Sequence, residues 1–131
     1  MCGRPLLVLL FSLCLGAGSL SSAQKPVALS EFELKGLIRA VVTAQANCFL
    51  KLGIYASLRD LAGDESLAAR KNMLNIKDAD FSTFGDYELR VVVSSDGHHY
   101  LTSLTKENGC GVAIFSTEHA VIYEATALGC Q

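Results

Sequence analysis

One stretch limits what this chain can become: Ser30 to Leu52, SEFELKGLIRAVVTAQANCFLKL. Ser30 with Glu33 three places on is a capping-box pattern, in which each side chain satisfies a backbone N–H at a helix start. Leu34, Leu37, Ile38, Val41, Val42, Gln45, Cys48, Phe49 and Leu52 recur at steps of three and four. Lys35, Arg39, Thr43, Asn47 and Lys51 form a polar row at steps of four. One side is therefore expected to be core and the other wet. Gly53 supplies a stop, because glycine takes the left-handed conformation a helix end favours. A helix over Glu31–Leu52 is roughly 33 Å long at about 1.5 Å per residue, enough to cross a small domain.

Beyond Leu52 the spacing predicts smaller pieces and then a sheet. Ser57 with Asp60 starts a single turn over Leu58–Ala62 closed by Gly63, and Asp64 caps a short helix from Glu65 to Met73. Between Asn75 and Asp86 the polar turn-forming residues predict a connecting loop with Ile76 and Phe81 tucked inward. The period then drops to two. Tyr87, Leu89, Val91 and Val93 alternate with Glu88, Arg90, Val92 and Ser94, the pattern of a strand with one buried side. Asp96-Gly97 predicts a type I′ hairpin turn into a strand over His98–Leu104. After a loop over Lys106–Gly111, Val112–Ser116 and Ala120–Ala125 form a last pair turning at Thr117–His119. The expected class is α+β, a long N-terminal amphipathic helix packed on a four-stranded antiparallel β-meander.

Half of the 131 residues are hydrophobic, and much of that excess sits at the start. Arg4, the apolar run Leu6–Leu15 and the small residues leading to Ser21-Ser22-Ala23 make the three parts of a secretory signal peptide. The apolar run is shorter than the ~20 residues of a membrane span. The expectation is a signal peptide over residues 1–23, cleaved near Ala23, and a single globular domain over 24–131 in a secreted or periplasmic location. With a formal net charge of −2 and no basic run, nothing favours nucleic acid.

Cleavage there removes Cys2 and Cys14 and leaves Cys48, Cys110 and Cys130. Export permits a disulfide, and three thiols leave at least one unpaired within a monomer. Cys110 and Cys130 flank expected strands, whereas Cys48 lies mid-helix among apolar neighbours. The expected bridge is Cys110 to Cys130 with Cys48 a buried free thiol, and pairing of Cys48 with either of the others is the open alternative.

No residue pattern predicts a catalytic, cofactor or metal site. His98 and His99, adjacent on an expected strand, point to opposite sides and do not share one metal easily. His119 sits at a turn, without CxxC, HxxxH or HExxH spacing anywhere. Cys48 as a nucleophile needs an electropositive, partly exposed pocket, against its apolar surroundings. Glu31 and Glu33 are accounted for by the positive end of the helix dipole. Asp78, Asp80 and Asp86 lack the spacing and distal glutamate of a calcium loop. Tyr55 and Tyr87 are read as junction packing.

Thr43-Ala44-Gln45, Gly53, Tyr55-Ala56-Ser57-Leu58-Arg59-Asp60-Leu61, Asp78-Ala79-Asp80 and Gly85-Asp86-Tyr87 together resemble the junction between helix and sheet in type IV pilin-like proteins and pseudopilins. Ala120-Val121-Ile122-Tyr123-Glu124 is similar to their closing strand. The resemblance implies a globular head in which a helix packs on a four-stranded antiparallel sheet, often with a C-terminal disulfide loop. It departs from the family in lacking the prepilin cleavage site and the apolar first half of the helix. Glu31, Glu33 and Lys35 stand where that half would meet hydrocarbon, which is costly. What it implies is a freestanding exported head. The expected function is a non-enzymatic structural or interaction module docking onto a pilus, a type II secretion assembly or another envelope component. Its partner would be a protein in the cell envelope or extracellular space, with no membrane span after cleavage and a monomeric or weakly associating state. The alternative is a secreted binding or protease-inhibitor-like domain that shares a helix-on-sheet layout with cystatins but lacks a Gln-x-Val-x-Gly loop.

Overall fold

The computed structural model describes residues 28–130. The signal segment expected over residues 1–23 lies outside the described residues. Helix α1 runs over Glu31–Leu52. Ser30 Oγ accepts from the Glu33 N–H while the Glu33 carboxylate accepts from the Ser30 N–H, so the capping box closes at both ends. Gly53 ends the helix at φ 73°, a left-handed conformation, and its N–H donates to Phe49 O. Two single turns follow, α2 (Leu58–Leu61) and α3 (Glu65–Ala68), capped by Ser57 and Asp64.

Six strands complete the chain: β1 (Leu74–Ile76), β2 (Phe81–Phe84), β3 (Tyr87–Val93), β4 (Tyr100–Lys106), β5 (Val112–Thr117) and β6 (Ile122–Thr126). They form one antiparallel sheet in sequence order, β1 to β6. The expected four-stranded meander is thus overturned, and so is the four-stranded sheet that the pilin-like resemblance implies. The two additional strands come from the stretch read as connecting loop. Its polar residues fall on the outer side, as with Asn75 and Thr83, or are buried as hydroxyls, as with Ser82. Composition hid a ladder in which Leu74 pairs Phe84 and Phe84 pairs Tyr87.

Tyr87, Leu89, Val91, Leu104 and Ile114 on the inner side of the sheet meet Leu34, Leu37, Ile38, Val41 and Ala44 of α1 in one apolar cluster. Helix α1 lies across β4, β5 and β6. Leu58, Leu61 and Leu67 of the two short helices enter the same cluster with Phe84. The Arg59 N–H donates to Ala79 O, which ties α2 to the β1–β2 turn. Burying side chains of this size stabilises by about 2 kcal/mol each, so the helix is held by its apolar side far more than by its caps.

Three local expectations also change. Phe81 faces the outer side, with the Arg90 guanidinium 4.7 Å from its ring centre. Strands β3 and β4 are joined by residues 94–99, in which Gly97 has a positive φ and Asp96 does not, so the turn is not type I′. Its hydrogen bonds come instead from Ser94 Oγ, which accepts from the His99 N–H, and Asp96, which accepts from the His98 N–H. The helix expected over Glu65–Met73 stops at Ala68, and Met73 and Leu74 are tied back to Arg70 O through turn hydrogen bonds.

Candidate functional site

The last buried residue of α1 is Gln45, and from Ala46 to Leu52 none is buried. Periodicity continues the apolar stripe to Leu52, but the sheet does not continue beneath it. What meets this end of the helix is the segment Ile54–Ser57, doubled back by the Gly53 turn. Gln45 holds that segment: its Nε2 donates to Ala56 O at 2.8 Å, and its Oε1 accepts from the Ala56 N–H at 2.9 Å. A fully buried primary amide thereby pairs with the backbone as a neighbouring strand would. The Tyr55 N–H donates to Gly97 O at 2.8 Å, so the β3–β4 tip supports the same segment from the other side. A side chain at Gly97 would strike Ile54, its Cβ coming within 3.0 Å of that residue.

On this support three rings assemble. Phe49 stacks on Tyr55 at 4.7 Å, and Tyr55 meets Tyr100 edge-on at 4.7 Å. His98 approaches the edge of Phe49 at 6.4 Å. Burial pushes the Tyr100 hydroxyl up to about 12, so it stays a neutral donor throughout the physiological range. Beyond the rings the surface is apolar: Leu50 is 84% exposed, Leu52 69%, Ile54 46% and Phe49 37%. Phe49 and Leu52, read from the sequence as core, are therefore surface.

Between this end of α1 and the segment Tyr55–Asp64 lies an open groove of about 460 Å³. Ala44, Cys48, Leu52 and Leu61 supply its apolar lining, with Lys51, Asp60 and Asp64 among its polar residues. Backbone and hydroxyl donation from Ser66 holds the Asp64 carboxyl below the usual range, with smaller help from Asn47 and Lys51. Cys48 is half-buried in this lining instead of enclosed in the core, and it is unpaired. Cys110 and Cys130 are joined, closing the open end of the β5–β6 hairpin.

The three histidines gather at the same end of the molecule. His99 Nδ1 lies 2.9 Å from Glu118 Oε1, and His119 Nε2 lies 3.9 Å from the same oxygen. The hydrogen bond raises His99 above the ordinary histidine value and lowers Glu118 below the ordinary glutamate value. His98 and His99 belong to the β3–β4 tip and not to a strand, so the alternation argued from sequence does not apply to them. Among the described residues, no three His, Cys, Asp or Glu side chains converge to hold a metal ion. Glu31 lies in an ion pair with Lys35, and Glu33 is occupied by the capping box. Asp78 and Asp80 remain on the exposed β1–β2 turn, and Asp86 lies 3.5 Å from the Lys106 ammonium. Among the described residues, no helix is long and apolar enough to cross a membrane. Compared with known proteins, the chain matches no family model, no curated protein and no solved structure.

Sequence reasoning missed the exposed apolar rim at the helix end. The signal was present in Leu50 and Leu52, on different sides of the helix axis, and in Ile54 just past Gly53. A single buried stripe cannot take in all of them.

Proposed function

We propose that this chain is an exported, non-enzymatic interaction module that docks a protein of a pilus, a type II secretion assembly or another envelope component on the end of α1. The observation that carries the reading is the exposed rim of Phe49, Leu50, Leu52 and Ile54 beside a groove of about 460 Å³. Contiguous exposed apolar surface of this kind, with charged groups at its border, is what protein docking sites present. Its foundation is rigid, since Gln45, Gly97 and the stacked rings fix the segment that forms one wall. Little conformational freedom is then lost when a partner settles. The pilus or secretion assignment is supported by the pilin-like resemblance of Thr43–Leu61, and those same residues build most of the groove.

The test places a photoactivatable amino acid at Leu50 in one version of the exported chain and at Thr105, on the outer side of the sheet, in another. Irradiation in the native envelope should link position 50, but not position 105, to a discrete pilus, secretion or envelope protein. Loss of that product in Leu52→Asp would localise the contact. Equal labelling from both positions, or none from position 50, would overturn the reading.

A further inference from the structure

The sheet is open, and its two edges are unlike. Strand β1 has three residues and runs into Lys77, whose N–H is taken by Phe81 O. A short strand ending in a charged residue is a guarded edge. Strand β6 has five residues, with neither lysine nor proline, and pairs with β5 without a bulge from Ser116↔Ile122 to Val112↔Thr126. Among the described residues, no hydrogen bond reaches the far side of β6. Its backbone groups facing away from β5 are thus directed at solvent.

This edge is also held ready. The Cys110–Cys130 bridge closes the hairpin beyond Thr126, and Ser116 Oγ donates to Val121 O at 2.8 Å near its other end. A strand fixed at both ends meets an incoming segment without first having to be ordered.

The side chains say what that segment should carry. On the outer side Tyr123 stacks on Phe115, with ring centres 5.4 Å apart, a surface suited to β-branched or aromatic neighbours. On the inner side Glu124 is opposite Ile114 and reaches the Lys35 ammonium at 2.6 Å. Lys35 also serves Glu31, so two carboxylates share one cation and the edge keeps an excess negative charge. A second copy of the chain fits poorly, because two-fold pairing of β6 with itself about its central residue sets Glu124 against Glu124. We propose that β6 accepts an added strand from a different protein: an extended segment with apolar residues beside Tyr123 and a lysine or arginine beside Glu124. This surface lies apart from the helix end, and the inference does not rest on the function proposed above.

The experiment uses the chain lacking residues 1–23 and three synthetic peptides: acetyl-Val-Lys-Val-Lys-Val-amide, its glutamate counterpart, and the lysine peptide N-methylated at every residue, so that neither of its edges can donate. Amide hydrogen exchange is followed residue by residue. The lysine peptide should slow exchange within residues 122–126 in a saturable way, and the N-methylated peptide should not. The glutamate peptide should bind about fivefold more weakly, as like charges facing each other across strands are unfavourable. Glu124→Gln, which keeps the shape of the side chain, should narrow that difference. Leu50→Asp should leave peptide binding unchanged, so failure at the helix end is separable from failure here. Protection confined to β1 or to the helix end, equal affinity for the lysine and glutamate peptides, or undiminished binding of the N-methylated peptide would overturn the proposal. So would concentration-dependent protection of β6 without peptide, which would make the occupant a second copy.

Discussion

The two halves of α1 obey the same periodicity and meet different fates. From Leu34 to Gln45 the apolar side is buried against β4, β5 and β6, whereas from Ala46 to Leu52 no residue is buried and Leu50 and Leu52 stand in solvent. The difference lies in what is beneath the helix and not in the helix itself. The sheet ends, and a doubled-back segment replaces it. An amphipathic stripe therefore announces that a surface wants cover, and only tertiary placement says whether the chain supplies that cover itself.

Substitutions can break this contrast or sharpen it. The largest effect is expected in the first half: Ile38→Ala, at a fully buried position, should cost about 4 kcal/mol in denaturant unfolding. Gln45→Leu comes next. It stands at the border of the halves and leaves both backbone groups of Ala56 without partners, which should cost about 3 kcal/mol. A loss below about 1 kcal/mol would mean that water replaces the amide and that the groove wall is less fixed than described. Phe49→Ala, in the second half, removes a half-exposed ring from its stack on Tyr55 and should cost about 1 kcal/mol.

A weaker contribution comes from His99 and Glu118, which join the tip supporting the second half to the β5–β6 turn. Because the His99 value is raised, its share is full below the ordinary histidine value of 6.5 and is lost as pH rises through the folded one. Because the Glu118 value is lowered, its share is present above the ordinary glutamate value of 4.5 and is lost as pH falls through the folded one. The Tm difference between the natural chain and Glu118→Gln should therefore be greatest between pH 4.5 and 6.5. A difference that does not vary with pH would show that the pair is not formed in solution. Leu52→Asp, at a position 69% exposed, should have the smallest effect on folding, within about 0.5 kcal/mol, while abolishing the photocrosslink expected from position 50.

The contrast also explains what could be read from the residues alone. The ends of α1 were legible because Ser30, Glu33 and Gly53 act locally, through hydrogen bonds to their own neighbours and a left-handed φ. Strand β3 was legible because an apolar residue stands at every second position from Tyr87 to Val93, with Val92 the one apolar residue on the outer side. Strands β1 and β2 were not, since each is short and Ser82 places a hydroxyl where alternation expects a hydrocarbon. The exposed apolar rim was hidden for the reason given by α1 itself. Phe49 and Leu52 keep the step of three and four, and nothing nearby in sequence records that the sheet has ended. Gln45 was placed on the apolar stripe correctly, but its pairing with Ala56 depends on the return of the chain after Gly53, which no pattern of side chains encodes.

Every strand of the sheet pairs with the one before it, yet the helix that covers the sheet comes first in the chain and lies on the strands that come last. During synthesis the part of α1 that packs on β5 and β6 must wait, without cover, until residues 112–126 have emerged, although α2, α3 and β4 meet the rest of it earlier. Removing the final hairpin should therefore yield a sticky fragment and not a smaller stable protein, which makes the C-terminal residues the ones that finish folding for the whole molecule.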